Sequence, residues 1–136
     1  MRPSFTQKET RIMIQLNHIN LSVYDVPELT RFFTEIFDFQ IGEQHGNGTF
    51  SVLIGEDNFA LVISHDKRVD ADIYPAFFHV GFLVDSAEEV KARHRRIVEA
   101  GFETPAPDRL RRGGPPTFGF YCKAPGGVLV EVSTPA

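Results

Sequence analysis

Two stretches of the chain carry the same arrangement of apolar and polar positions, each with a histidine near its start. Leu16-Asn17-His18-Ile19-Asn20-Leu21-Ser22-Val23 aligns with Phe77-Phe78-His79-Val80-Gly81-Phe82-Leu83-Val84, so that His18 falls on His79. Runs that alternate or stay apolar in this way predict strands, and their recurrence predicts a duplicated unit. Each is followed by a helical pattern. Val26 to Phe37 places Leu29, Phe32, Phe33 and Ile36 on one stripe, and Ala87 to Ala100 is its counterpart. Ser86 is a suitable N-cap for the second helix, and Glu88 and Glu89 in its first turn offset the positive end of the helix dipole. Gly101 ends that helix by accepting a left-handed backbone. Phe39-Gln40 and Phe102-Glu103 then open the next strand of each half.

The later strands correspond at a slightly larger offset. Gly55 to Ser64 lies on Ala124 to Ser133, and turn residues in each separate two strands as in a hairpin. The layout is βαβββ twice, an α+β arrangement, over about 14–66 and 75–134. Asn47-Gly48 and the segment Arg109 to Pro116 are the obvious loops. The second is long, basic and rich in Gly and Pro, and could act as a lid. Residues 1–13 carry charges and a proline without the apolar core of a secretory signal, which predicts a flexible leader before one domain over 14–136.

Composition narrows the partners. The chain has 136 residues, 42% of them hydrophobic and 24% charged, enough for one packed domain and without an apolar run long enough to cross a bilayer. A net charge of -4 argues against a broad nucleic-acid surface, which needs clustered positive charge. A small-molecule partner is expected instead. A single cysteine, Cys122, excludes an intrachain disulfide and a cysteine-rich zinc site, and the cytoplasm is the default compartment.

Strand alternation places His18, Asn20 and Ser22 on one face and Ile19, Leu21 and Val23 on the other. By the same count His79 lies with Gly81 and Leu83, and Glu131 lies with Leu129 and Ser133, away from Val128, Val130 and Val132. A lone strand histidine is more often a hydrogen-bonded core or surface residue than a ligand. A Glu among valines is different, because an unpaired buried carboxylate is costly and calls for a metal, a cation or solvent. Two histidines at equivalent repeat positions together with that Glu make a metal site the favoured reading, provided that the halves pair about a pseudo-twofold axis.

These residues, with Phe120-Tyr121-Cys122-Lys123-Ala124-Pro125-Gly126-Gly127-Val128-Leu129-Val130-Glu131, resemble the signature of the vicinal-oxygen-chelate superfamily of glyoxalases, bleomycin resistance proteins and extradiol dioxygenases. The resemblance runs from about Gln15 to Thr134. It implies two βαβββ modules forming a half-barrel of mixed sheet, with a concave ligand face and helices outside. It also implies a divalent metal on His18, His79 and Glu131, and a homodimer. If the site is built from both chains, His18 of one joins His79 and Glu131 of the other.

The repeat alignment puts Val62 where the second half has Glu131. Glyoxalase I and the methylmalonyl-coenzyme A epimerases place a fourth ligand there, so the resemblance disfavours both reactions. Fosfomycin-modifying enzymes use a Thr two residues after the first His, where this chain has Asn20. Two His and one carboxylate with open positions suit Fe(II), which must take substrate and O₂ together, although Zn, Mn or Ni could serve a lyase or hydrolase at the same triad. Tyr121, ten residues before Glu131, matches a Tyr that contacts catechol in extradiol dioxygenases. His65 lies roughly where those enzymes carry an acid/base histidine, although alternation from Val62 and Ser64 turns it away from the pocket. Where they have a further histidine this chain has Arg112, Gly113 and Gly114. Asn20 and Arg112, or Arg111, are the candidate substrate contacts, Arg being suited to a bidentate hold on an acid. His45 and His94 read as exposed, and Arg93-His94-Arg95-Arg96 as a solvated helix face. The competing function is ligand sequestration without catalysis, as in bleomycin resistance proteins.

Overall fold

The computed structural model describes residues 14–69, 74–111 and 114–136; the expected leader and Arg112 lie outside them. Strand β1 (His18–Val23), helix α1 (Val26–Phe37), and strands β2 (Gln40–His45), β3 (Phe50–Ile54) and β4 (Ala60–His65) form the first module. Strand β5 (His79–Leu83), helix α2 (Ala87–Glu99), and strands β6 (Asp108–Leu110), β7 (Thr117–Lys123) and β8 (Leu129–Pro135) form the second. Each module is one four-stranded mixed sheet, ordered β1-β4-β3-β2 and β5-β8-β7-β6. The first strand of each pairs in parallel with the last, and the other pairs are antiparallel. Asn20 sits opposite Val62 as Gly81 sits opposite Glu131, so the ladders reproduce the alignment of the two halves.

The helices begin and end where local chemistry directs. Asp25 accepts a hydrogen bond from the Glu28 N–H, and Ser86 from the Glu89 N–H, each satisfying a donor that the first helical turn cannot. Asp38 adopts a left-handed conformation at the end of α1, and Gly101 does so just after α2. Leu29, Phe32, Phe33 and Ile36 are fully buried, as their spacing predicts.

Between the modules lies an aromatic cluster. Phe82 of β5 stacks on Phe37 of α1 at 4.2 Å, and Phe102 meets Phe32 edge-on at 5.2 Å. Aromatic contacts of this kind add to the burial of large apolar area. Gly126 in the β7–β8 turn has φ +87°, and a Cβ there would come within 2.6 Å of Val23 at the end of β1. The turn therefore presses on the other module at a position only glycine fills.

The arginine run of α2 corrects a sequence expectation. Instead of a solvated face, Arg93 donates to the Ile36 carbonyl at 2.6 Å and Arg96 to that of Glu35, and both contact the Asp38 carboxylate. They supply the donors that the last carbonyls of α1 lack within the helix. Glu89 holds Arg93 at 2.9 Å, the i,i+4 pair anticipated. His94 is also not exposed. It stands edge-on to Phe120 at 5.4 Å with Nε2 buried, because it shares a helical stripe with the buried Val90 and Ile97. His45 is exposed and pairs with Glu43. The segment expected to be a loop from Arg109 begins as a strand instead, since Arg109 and Leu110 pair with Phe118 and Thr117.

The two guanidinium groups hold the Asp38 carboxyl at about 2, below its ordinary 3.8. A depressed carboxyl contributes stability above its unfolded value and loses it as pH falls through the folded one. Asp38→Asn, which keeps a residue tolerant of the left-handed backbone, is expected to cost about 1 kcal/mol near neutral pH, at the upper end for an exposed ion pair because two arginines share it. The difference from wild type should shrink between pH 3.8 and about 2. Thermal melts of both proteins across that range check it.

Candidate metal centre

Each sheet has one face under helices and one open face. On the second sheet the buried side carries Val130 and Val132, both with no exposed surface, together with Phe120. The open side carries His79, Gly81 and Leu83 from β5, Leu129 and Glu131 from β8, and Tyr121 from β7. The ladders set Gly81, Glu131 and Tyr121 in one row across three strands.

On this face His79 and Glu131 meet, with Nε2 of the imidazole 3.4 Å from Oε1 of the carboxylate. The other ring nitrogen, Nδ1, lies 3.0 Å from the Phe77 carbonyl. A carbonyl only accepts, so Nδ1 carries a proton toward it and Nε2 is the ring nitrogen turned toward the carboxylate. Two acceptors so placed need a proton or a cation between them. The separation suits two donors that each stand about 2.1 Å from one ion. A backbone carbonyl on the far nitrogen is also the usual way a ligating histidine is oriented. The His79–Glu131 pair therefore fits a divalent metal.

Gly81 keeps the approach open. A Cβ at that position would stand 3.6 Å from the Glu131 Oε1, so any larger side chain would extend over the carboxylate. Tyr121 stands edge-on to His79 with ring centroids 5.6 Å apart.

His18 occupies the equivalent open face of the first sheet. Its Nδ1 is 2.8 Å from the Asn17 side-chain oxygen, which only accepts, so Nε2 is the ring nitrogen turned away from that contact. Among the described residues no three His, Cys, Asp or Glu side chains come together around one point. The chain by itself brings together His79 and Glu131 and leaves His18 apart. Asn20 lies on the face of His18 and accepts a hydrogen bond from the Ser64 hydroxyl at 2.9 Å. His65 belongs to the opposite face, with Nδ1 2.8 Å from the Tyr24 carbonyl and its ring edge-on to Tyr24. Val62 occupies the row of Asn20, as the repeat alignment anticipated.

Sequence reasoning missed a phenol on β1. Tyr74 accepts from the Ser22 N–H at 3.0 Å and donates to the Ser22 carbonyl at 2.6 Å, closing the outer edge of that strand at one point. Burial pushes its phenol pKa up. No pattern in the linker announced this contact.

The family model of the Glyoxalase/Bleomycin resistance protein/Dioxygenase superfamily matches residues 15–132. The chain belongs to this superfamily. Among solved structures, a possible glyoxalase from Bacillus cereus is 33% identical, with 88% of this chain and 98% of that one covered and a TM-score of 0.72. The fosfomycin resistance protein FosX from Mesorhizobium loti shares the fold at 16% identity, with 92% and 95% covered and a TM-score of 0.69. FosX from Listeria monocytogenes, as a mutant complexed with Mn(II) and 1S,2S-dihydroxypropylphosphonic acid, does so at 21% identity, with 89% and 92% covered and a TM-score of 0.68. No curated protein matches the chain. No helix among the described residues is long and apolar enough to cross a membrane.

Gly81→Val tests the open face of this superfamily member directly. Valine favours the strand conformation, so the fold should hold or gain stability, while affinity for a divalent ion should fall about tenfold or more, the scale of disturbing the surroundings of a metal ligand. Metal titration beside a thermal melt checks both halves of the expectation.

Proposed function

We propose that this protein is a metal-dependent enzyme acting on a small molecule that chelates the ion through vicinal oxygens, with the ion held by His79 and Glu131 of one chain and His18 of a second copy. The observation that carries the reading is the His79 Nε2 facing the Glu131 carboxylate at 3.4 Å on an open sheet face. Three features support sharing between copies. His18 stands apart within one chain. Strands β1 and β5 are each the outer strand of their sheet. Leu16, Phe77 and Leu83, on or beside those strands, are 81%, 84% and 76% exposed, large apolar groups that a partner would cover.

The bound ion would supply Lewis acidity to the chelated oxygens and, as Fe(II) with open positions, the capacity to engage O₂. This chain's residues would do the rest. Tyr121, beside His79 and in the row of Glu131, would place its hydroxyl on a substrate oxygen. Asn20, arriving with His18 from the second copy, would present an amide to the same pocket. Val62 offers neither a ligand nor a proton-transferring group, which leaves room for a bidentate substrate. We infer extradiol-type ring cleavage as the reaction. Arg112 and His65 are kept as a candidate substrate contact and a candidate acid/base residue of that reaction, His65 being the weaker because it lies on the face away from His18. A redox-neutral hydrolase or lyase is the second reading, favoured by the Listeria FosX complex, which pairs Mn(II) with a vicinal diol.

Two measurements bear on this reading. Mixed in equal amounts and reassociated, His18→Ala and Glu131→Ala chains should recover roughly a quarter of the wild-type metal sites, because half of the dimers would then hold one complete site. No recovery from such mixed dimers would place the ligands within single chains or remove the triad. Separately, protein loaded anaerobically with Fe(II) should consume catechol and oxygen together on exposure to air. Turnover of epoxides or diols with Mn(II) and no oxygen uptake would favour the second reading, and stoichiometric metal without any turnover would leave a binding protein.

A further inference from the structure

The two modules are not equal beside the metal face. In the first, β2 runs against the whole of β3, from Gln40 opposite Ile54 to His45 opposite Phe50. In the second, the corresponding segment passes through Thr104-Pro105-Ala106-Pro107 before β6 begins at Asp108, and pairing with β7 reaches only from Thr117 to Gly119. Prolines lack the N–H that a ladder needs. Among the described residues the stretch of β7 at Tyr121 and Lys123 is therefore left without an outer strand, and a groove of about 710 Å³ opens there. Its walls include Phe102, Thr104, Pro105, Tyr121, Lys123 and Leu129.

The groove starts at the metal face. Lys123 pairs with Leu129, and Leu129 with His79, so these three form the row next to that of Tyr121 and Glu131. Two strand spacings, about 10 Å, separate Lys123 from His79 along that row. Leu129 lies between them. Lys123 is exposed and takes part in no ion pair among the described residues. Glu103, the acid on the same wall, does not neutralise it within salt-bridge distance.

Building on the metal-dependent reading, we propose that this groove is the subsite for an anionic tail of the substrate, with Lys123 as its counter-charge. The substrate class is a vicinal-oxygen chelator joined through a short apolar body, lying over Leu129 and Pro105, to a carboxylate or phosphate-like group. Lys123 sets specificity and has no part in the bond-making step.

The test uses Zn(II)-loaded protein, which binds without oxygen chemistry, and two catechols, ethylcatechol and dihydroxyphenylpropanoate, the latter carrying a short carboxylate arm. Calorimetry should show the acid bound about tenfold more tightly than the neutral compound, the scale of one charge-assisted hydrogen bond. Lys123→Met should abolish that preference with less than about twofold change for ethylcatechol, and Glu103→Gln should enlarge it by relieving repulsion. Metal content separates the possible failures. Equal affinities in fully loaded wild type, or an undiminished preference in Lys123→Met, overturn the groove assignment alone. Protein that takes up no metal overturns it together with the reading on which it rests.

Discussion

The open face of the second module depends on the lateral register between β5 and β8. That register sets Gly81 opposite Glu131 and Phe82 opposite Val132, so one choice of pairing decides both what packs inside and what faces out. A slip of one residue would turn Glu131 under the helices and bring Val130 and Val132 to the surface. The cost would be an unpaired carboxylate in an apolar interior and the loss of two fully buried valines, each contributing about 1.5 to 3 kcal/mol. The hydrophobic core and the His79–Glu131 juxtaposition are thus specified by the same interaction. Any sequence that folds stably with these valines inward presents this carboxylate beside this imidazole.

The same dependence explains what could be read from the amino acids. Helix α1, the cap at Ser86, the turns at Asn47-Gly48 and Pro125-Gly126-Gly127, and the two-faced strands are all written in local pattern. Once the alternation of β8 was clear, the outward direction of Glu131 followed. The errors fell where a contact comes from another element. Arg93 and Arg96 form part of a basic run in sequence, and only the end of α1 beside them turns that run into a cap. His94 was legible in principle, since Val90, His94 and Ile97 repeat at helical spacing, but the charged residues around it masked the stripe. Strand β6 was hidden by the Gly and Pro residues that follow it. Tyr74 reaches Ser22 from a linker with no periodicity.

The two halves repeat the same ladders but are not equivalent at the site. The first half has a histidine, His18, where the second has His79, yet carries Val62 and Val52 at the positions where the second half carries Glu131 and Tyr121. Among the described residues neither half brings three His, Cys, Asp or Glu side chains together. A divalent ion that needs three protein donors can then be held only where the open face of a first module meets that of a second, and a catalytic ion also needs positions left open to substrate. Within one chain the modules join through Phe32, Phe37, Phe82 and Phe102 and through the arginines on the end of α1, contacts made on the helix side. The sheet faces bearing His18 and His79 are left open to other partners.

That geometry gives the exposed apolar residues a meaning. Isolated surface leucines are ordinary, but Leu16, Phe77 and Leu83 cluster in sequence around β1 and β5 and stand more than three-quarters exposed. A surface that buried them would also bring β1 and β5 of different copies together, with Tyr74 already occupying the backbone groups of Ser22 so that β1 is not extended there by a further ladder. Association would then be driven by apolar side chains and metal coordination, with strand pairing excluded at that point. In such an assembly the ion and the interface would stabilise one another, because His18 of one copy would reach the His79–Glu131 pair of the other only when the apolar contact forms.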